Sequence, residues 1–261
     1  MRKPIVAGNW KMYKTRDEAI HFVYDVNDEV PNKDRVETII CAPAILLRCL
    51  TRRQGENLRI GAQNMHYEEE GAYTGEISPS MLKSTGVTYC IIGHSERRLF
   101  NGETETDVNH KIKAALKHEI TPIVCVGETR DQYEHSDTDY ILGLQVRLAI
   151  KDISEEDIQK VIIAYEPIWA VGAKQSAPAD VADQKCGYIR KIIAKTYNQE
   201  VADKIRILYG GSVNKTNYEE LIHKENVDGA LLGRASLDSK HFLTICEMTE
   251  KYLEELEKAQ A

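Results

Sequence analysis

The sequence predicts a closed (β/α)8 barrel, in which eight parallel strands are surrounded by an outer ring of helices. Three observations lead to this prediction. Short apolar runs recur eight times, a longer amphipathic stretch separates each run from the next, and no Gly/Ser-rich linker or low-complexity segment interrupts the alternation. The 261 residues also match the ~250 residues typical of such a barrel. We therefore expect residues 1–261 to form a single barrel domain.

The eight apolar runs are the predicted strands. Parallel strands that are covered by helices are buried on both faces, and they appear as continuous rather than alternating apolar runs. The runs are 5–7, 36–41, 58–62, 89–92, 121–126, 161–165, 205–209 and 229–232. Segments 107–117 and 182–197 between them have helical periodicity.

An open, doubly wound sheet is the competing architecture. Such a sheet is expected to carry a GxGxxG phosphate loop after its first strand. The first strand here is followed by the segment 7–11, AGNWK, which contains no glycine cluster. The closed barrel is therefore the favoured prediction.

Composition excludes several classes of function. The formal net charge of −7 gives the chain no electrostatic reason to bind nucleic acid or an anionic membrane surface. The amino terminus lacks the 7–15-residue apolar core of a signal peptide, and no run approaches the ~18 apolar residues of a membrane span. These features predict a soluble cytoplasmic protein.

The six cysteines predict neither a disulfide framework nor a metal site. They include no CxxC pair and no Cys/His group with zinc spacing. Cys90 and Cys125 lie within apolar runs, so we expect them to be buried thiols. A core of this size needs no covalent cross-links.

Candidate functional residues follow from the predicted fold, because the catalytic groups of such barrels lie at the carboxyl ends of the strands. The polar or flexible residues just past the apolar runs are Asn9, Lys11, Gln63, Asn64, His94, Ser95, Glu96, Glu128, Glu166, Gly210, Gly211, Ser212, Gly233 and Arg234.

Glu166 directly follows the sixth run and is a candidate general base. A carboxylate at the rim of an apolar barrel mouth is partly desolvated, which raises its basicity; a salt-bridged glutamate at a strand end is the structural alternative. The segment 167–174 that follows is apolar for an exposed loop. It is either a packed connector or a lid, in which Gly172 presents its N–H to an anion.

His94 and Lys11 are candidates for stabilising negative charge. Ser95 is expected to N-cap a helix, and the positive end of the helix dipole would favour a neutral His94 imidazole that polarises a carbonyl. Lys11 would attract an anionic substrate and stabilise charge on oxygen. A purely structural histidine and a solvated surface lysine are the alternatives.

The glycines after the seventh and eighth runs suggest a phosphate site. Gly210, Gly211 and Gly233 permit close backbone approach, and the loops after strands 7 and 8 hold phosphate in many barrels of this type. Ser212 adds a hydroxyl at the same place. Glycine pairs also occur in ordinary turns, so only their combination points to phosphate.

Several segments resemble the signature segments of the triosephosphate isomerase family, in the family's order and at its intervals. They are AGNWKM at 7–12, AQNM at 62–65 with GEIS at 75–78, IGHSERR at 92–98, CVGE at 125–128, AYEPIWA at 164–170 and LYGGSV at 208–213. The resemblance extends from about residue 4 to about residue 245.

This resemblance implies a TIM barrel that interconverts dihydroxyacetone phosphate and D-glyceraldehyde 3-phosphate through an enediol(ate), without a metal or cofactor, in glycolysis and gluconeogenesis. The family's roles correspond to the base Glu166, the neutral electrophile His94 and the substrate-binding cation Lys11. Asn9 corresponds to the polar neighbour of Lys11, and Gly172, Ser212 and Gly233 correspond to phosphate-holding positions. We also place Arg234 among the candidate substrate contacts and expect Ser95 and Glu96 to support the site.

The resemblance also implies a homodimer. Segment 64–79 is similar to the loop by which one subunit of the family reaches into the other. Thr74 lies at the tip of this segment and is expected beside the partner's site. The expected partners are therefore a second copy of the chain and a small phosphorylated sugar.

Three departures from the family pattern affect phosphate handling. The segment 173–175 is AKQ where TGK is expected, Tyr13 replaces a frequent asparagine, and Arg234 replaces a second glycine. We favour an Arg234 side chain that points to solvent over one that reaches an anion. These departures leave open a sister isomerase acting on a four-carbon ketose phosphate such as erythrulose phosphate and, more distantly, an inactive barrel that serves as a binding or scaffold protein.

Overall fold

The computed structural model describes residues 2–170 and 177–260, and it shows a closed barrel of eight parallel strands. Each strand pairs with the next one along the chain, and the eighth pairs with the first. The strands are β1 (Ile5–Asn9), β2 (Glu37–Ala42), β3 (Leu58–Ala62), β4 (Tyr89–Ile92), β5 (Thr121–Val126), β6 (Ile162–Tyr165), β7 (Arg206–Tyr209) and β8 (Gly229–Leu232). The predicted (β/α)8 architecture is confirmed.

The predicted strand bounds are correct for β3, β4, β5 and β8 and differ slightly for the others. β2 lies one residue later than predicted, and β6 and β7 each begin one residue later. β1 continues two residues further than predicted, to Asn9. Asn9 still pairs with Cys41 of β2. Asn9, which was predicted to follow the strand, is therefore its last residue.

Helices connect successive strands around the barrel. They are α1 (Arg16–Val26), α2 (Ala44–Thr51), α3 (Pro79–Thr85), α4 (Ser95–Asn101), α5 (Glu105–Lys117), α6 (Arg130–Glu134), α7 (Thr138–Ala149), α8 (Glu155–Ile158), α9 (Ala179–Thr196), α10 (Gln199–Lys204), α11 (Tyr218–Ile222) and α12 (Ser239–Gln260), with short 3-10 helices at Ile168–Ala170 and Arg234–Ser236. The predicted helical segments correspond to α5 and α9, although α9 ends at Thr196, one residue before the predicted end. α5 begins two residues earlier than its apolar pattern, because Thr104 and Asp107 form a capping box.

The core has two layers, as the continuous apolar strands require. Alternate strand residues fill the barrel interior, and they are Ile5, Ala7, Ile39, Cys41, Ile91, Ile123, Cys125, Ile162, Ala164, Leu208 and Leu231. The intervening residues pack outward against the helices. All six cysteines are free, and Cys90 and Cys125 are buried as expected.

A network of buried charge fixes the amino ends of β7 and β8. Asp228, just before β8, accepts hydrogen bonds from Arg190 Nη2 at 2.8 Å and from the Ile207 backbone N–H at 2.7 Å. Its second oxygen accepts a bond from Arg2 Nε at 2.5 Å. Arg190 Nη1 in turn donates to the backbone carbonyls of Ala202 and Ile205. This network, here called the Arg190–Asp228 cluster, connects the chain's beginning to its last two strands.

Within the described ranges, no helix has both the length and the apolar character needed to cross a membrane.

Candidate active site

The carboxyl ends of the strands surround a cavity of about 270 Å³. This volume is near the lower end of the range for ligand pockets, so the cavity suits a small molecule rather than a dinucleotide. Its walls include most of the predicted site residues: Asn9, Lys11, His94, Glu96, Glu166, Gly210, Gly211, Ser212, Gly233 and Arg234. The fold therefore brings together residues that are up to 225 positions apart in the sequence.

The loop after β1 holds Lys11 in an unusual backbone conformation. Lys11 has a φ of 51°, in the left-handed region that non-glycine residues rarely adopt. Asn9 Oδ1 accepts a hydrogen bond from the Lys11 N–H at 2.9 Å, and Gln63 Nε2 donates to the Lys11 carbonyl at 2.9 Å. Gln63 was a candidate for the site itself, but it acts here by fixing this loop.

The Lys11 side chain lies along the cavity wall and forms an ion pair with Glu96. Its Nζ lies 2.7 Å from Glu96 Oε1, and its side chain is only 25% exposed. The Lys11 stem also passes close to Gly233, since a Cβ added there would lie 3.7 Å from Lys11 Cε. Lys11 is therefore a partly buried, oriented cation rather than a solvated surface lysine.

His94 lies at the beginning of α4 and is its N-cap. The Nδ1 atom accepts a hydrogen bond from the Glu96 backbone N–H at 3.2 Å. The prediction that Ser95 caps this helix is wrong, because Ser95 is already the first helical residue. The N-cap bond leaves His94 Nε2 facing the cavity, and a neutral ring with Nδ1 as acceptor carries its proton on Nε2.

Glu166 is held against His94 by two polar contacts. Its Oε1 lies 3.1 Å from His94 Nε2, and its Oε2 accepts the Ser95 backbone N–H at 3.2 Å. Both residues are almost fully buried, with exposed fractions of 3% for Glu166 and 5% for His94. The two side chains thus contact each other on the wall of the cavity.

This contact sets the pKa of both groups. Burial raises the pKa of Glu166, but the charge and hydrogen bond of His94 and the Ser95 N–H outweigh burial, so the pKa lies below its ordinary value. Burial lowers the pKa of His94, yet the Glu166 carboxylate raises it above its ordinary value. The raised basicity expected for Glu166 is therefore absent while it contacts His94 and Ser95.

Glycines make room for this carboxylate. A Cβ at Gly210 would lie 2.8 Å from Glu166 Cγ, and a Cβ at Gly127 would lie 1.8 Å from the Glu166 carbonyl oxygen. Any larger residue at either position would displace Glu166. Gly210 therefore leaves space for the Glu166 side chain, in addition to permitting the close backbone approach to an anion that the sequence suggests.

Free backbone N–H groups also line the cavity. Among the described residues, the N–H groups of Gly211, Ser212 and Gly233 have no hydrogen-bond acceptor. They lie after β7 and β8 and on the same cavity as Lys11. Converging N–H groups of this kind bind phosphate and other anions.

The family model described as triosephosphate isomerase matches residues 4–249. The chain belongs to the triosephosphate isomerase family. The match supports an isomerase of the triosephosphate isomerase type, and it agrees with the resemblance seen in the sequence.

Two of the polar candidates, Glu128 and Asn64, are bound by partners away from the cavity. Glu128 is completely buried and accepts hydrogen bonds from Trp169 Nε1 at 2.7 Å and Tyr165 Oη at 3.1 Å; burial raises its pKa. Asn64 Oδ1 accepts a bond from Lys111 Nζ at 2.9 Å. Neither side chain lines the cavity.

Sequence inspection missed Glu103, which fixes the His94 loop. Its Oε1 accepts the Gly93 backbone N–H at 2.8 Å, and its Oε2 accepts Arg97 Nε at 2.7 Å and Lys111 Nζ at 2.8 Å. Glu103 lies between α4 and α5 rather than past a strand, so the strand-end criterion could not select it. A glutamate directly after Gly102, at the end of a short helix, was the only local signal.

Several predictions for the triosephosphate isomerase family concern loops. Gly172 and the segment 173–175 lie outside the described residues. Thr74 is exposed at the tip of segment 64–79. This segment closes on itself through the His66 N–H bond to the Ile77 carbonyl and through a ring contact of 4.4 Å between His66 and Tyr73.

Proposed function

We propose that this protein interconverts dihydroxyacetone phosphate and D-glyceraldehyde 3-phosphate. The observation that supports this most directly is that Glu166, His94 and Lys11 line one small cavity together with Gly211, Ser212 and Gly233, whose backbone N–H groups are free. A base, two groups that stabilise an oxyanion and a phosphate-binding wall are what this proton transfer requires. The same reaction would assign the protein to glycolysis and gluconeogenesis in the cytoplasm.

Substrate binding begins at the phosphate. The N–H groups of Gly211, Ser212 and Gly233 donate to the phosphate oxygens, and Lys11, whose stem lies beside Gly233, adds positive charge. Anchoring one end of a three-carbon chain brings its carbonyl and hydroxyl carbons toward Glu166 and His94. Such positioning converts an intermolecular proton transfer into an intramolecular one.

The contacts of Glu166 explain how it becomes a base. In the arrangement described, His94 and the Ser95 N–H lower its pKa. A substrate that enters between Glu166 and His94 separates these groups, and burial then raises the pKa of the carboxylate. Glu166 accepts a proton from the carbon that bears the hydroxyl, and the electron pair of the broken C–H bond forms a carbon–carbon double bond while the carbonyl electrons move to oxygen.

His94 and Lys11 stabilise the enediolate that results. The Glu96 N–H occupies His94 Nδ1. Once the substrate separates His94 from Glu166, the carboxylate no longer raises the pKa of His94 and burial favours the neutral ring, which donates its Nε2 proton to the oxygen. Lys11 contributes its positive charge at the same end. A proton then moves between the two oxygens, and Glu166 returns its proton to the former carbonyl carbon, which completes the ketose–aldose conversion.

The test is an assay of the purified protein with both triose phosphates and with erythrulose phosphate, run in H₂O and in D₂O. We expect conversion of the triose phosphates and incorporation of solvent deuterium at the carbon that receives the proton. Solvent deuterium in the product would show that the proton passes through an exchangeable group such as the Glu166 carboxyl, whereas no conversion of either triose phosphate would contradict the proposal. A higher kcat/KM for the four-carbon ketose phosphate would favour the sister isomerase, and inactivity toward all three would favour a binding protein.

We also propose that the protein is a homodimer in which segment 64–79 contacts the partner. Apolar side chains on this segment, after β1 and on α2 are exposed, including Tyr73 at 46%, Met12 at 94% and Ile45 at 90%. Exposed apolar surface of this kind is typical of an interface. Sedimentation should give twice the chain mass of 29.6 kDa, and a fully active monomer at assay concentration would contradict the proposal.

A further inference from the structure

Arg234 is positioned on the wall of the candidate active site. It is the first residue of the 3-10 helix after β8, its side chain is exposed, and it lines the same cavity as Lys11 and Glu166. Its φ is not positive, so an arginine occupies this position without the backbone strain that would require glycine. The backbone at residue 234 therefore tolerates an arginine side chain.

The charges that line the cavity indicate what the Arg234 guanidinium contacts. Two carboxylates, Glu96 and Glu166, line the cavity, and Lys11 is already paired with Glu96 at 2.7 Å. Among the described residues, Arg234 is the lining lysine or arginine without a carboxylate within ion-pair distance. A phosphate that enters beside Gly233 therefore meets one cation engaged elsewhere and one that is available.

We propose that the Arg234 guanidinium binds the phosphate of the substrate, in addition to the backbone N–H groups after β7 and β8. This inference rests on the proposed function, and it replaces the sequence-based preference for a solvent-pointing side chain. The planar guanidinium donates two parallel hydrogen bonds to a phosphate, which an ammonium group cannot do. Arg234 thus increases affinity for phosphorylated sugars without contacting the reacting carbons.

The experiment compares Arg234→Gln, Arg234→Lys and a control, Arg147→Gln, in the full-length protein. Arg147 is an exposed arginine on α7 that does not line the cavity, so its replacement changes the net charge equally. For Arg234→Gln we expect KM for glyceraldehyde 3-phosphate and the inhibition constant of inorganic phosphate to rise together, by about fivefold, the effect of a partly solvated charge-assisted contact. Arg234→Lys should recover part of this loss, and kcat should remain within about twofold.

Two results would overturn the inference. One is an Arg234→Gln variant that matches Arg147→Gln in both constants, which would show a solvent-pointing side chain. The other is a fall in kcat at unchanged KM, which would show a role in the chemical step. The shift in melting temperature caused by inorganic phosphate provides a readout independent of catalysis. If the wild-type protein lacks isomerase activity, a smaller phosphate-induced shift for Arg234→Gln than for Arg147→Gln still supports Arg234, whereas equal shifts refute it.

Discussion

The Arg190–Asp228 cluster at the amino ends of the strands and the His94–Glu166 pair at the carboxyl ends both contain buried charge, but their bonding differs. Both Asp228 oxygens are occupied, and the three bonds that reach them measure 2.5–2.8 Å. Glu166 has two longer contacts of 3.1 and 3.2 Å. Glu166 faces the candidate active-site cavity, whereas Asp228 is bonded to two arginine side chains and to the Ile207 backbone N–H.

Buried charge therefore has two roles in this barrel, one in stability and one in chemistry. A charge whose partners are all within the protein stabilises a single arrangement, and its loss leaves the remaining partner buried and unpaired. A charge that contacts groups it can exchange for a substrate contributes less to folding but is available for chemistry. The comparison therefore predicts opposite effects on stability and on rate at the two ends of the barrel.

The largest effect is expected for Asp228→Asn. Asparagine retains an acceptor but removes the charge that balances Arg190 and Arg2, so the free energy of unfolding should fall by about 3 kcal/mol. The kcat of the folded protein should remain near the wild-type value. Urea unfolding and steady-state kinetics measure the two quantities. Asp180→Asn, which breaks an exposed pair with Lys224, is the control and should cost less than about 1 kcal/mol.

Equal losses of stability for Asp228→Asn and Asp180→Asn would show that burial of the cluster does not matter. A large fall in kcat for Asp228→Asn at unchanged stability would show that the amino end communicates with the site.

Glu166→Gln should reverse this pattern. Glutamine keeps the shape and can still accept the Ser95 N–H, but it cannot accept a proton from carbon. We expect kcat to fall by at least ~10²-fold, or about 2.7 kcal/mol, while KM and the free energy of unfolding change little. Stopped-time assays of both triose phosphates are the measurement, and a near-native kcat would exclude Glu166 as the base.

The smallest effect is expected for Glu103, another buried carboxylate whose partners all lie within the protein. Its contribution to the free energy of unfolding should depend on pH. Burial raises its pKa, but Lys111 and Arg97 outweigh burial and hold the pKa below its ordinary value. The stabilisation is therefore complete above the unfolded-state pKa of about 4.3 and is lost as the pH falls through the lower folded-state pKa. We expect the difference in unfolding free energy between wild type and Glu103→Gln to be constant from about pH 8 to 5 and to shrink below about pH 4. A difference that grows in acid would contradict this assignment.

The strands and the strand-end residues were predictable because they depend on local pattern. A fully apolar run such as 121–126 can be buried only as a covered strand or core helix, and its short length favours the strand. Residues that follow such runs then lie at one end of the barrel whatever their separation in sequence. This reasoning located Lys11, His94 and Glu166 without knowledge of any contact.

The remaining features depend on contacts that local pattern does not contain. Residue propensity favoured Ser95 as the N-cap, but His94 takes that position because its Nδ1 reaches the Glu96 N–H. The direction of the Glu166 pKa depends on His94, 72 positions away in the sequence. Glu103 is visible as a functional support only when the Gly93 N–H and Lys111 are seen to converge on it.

The Arg2–Asp228 bond joins residues 226 positions apart, and Trp10 Nε1 is likewise bound to the Ser236 carbonyl, at 2.9 Å. During translation, β1 emerges from the ribosome long before β8 has been synthesised. Until then, β1 lacks a pairing partner along one edge and Lys11 lacks the wall formed by Gly233. Because long-range pairing of this kind is slow and leaves edges exposed, the candidate site of a nascent chain stays incomplete, and the free edge of β1 stays open to aggregation, until β8 emerges. Barrel closure and completion of the site are thus a single, late event in biosynthesis.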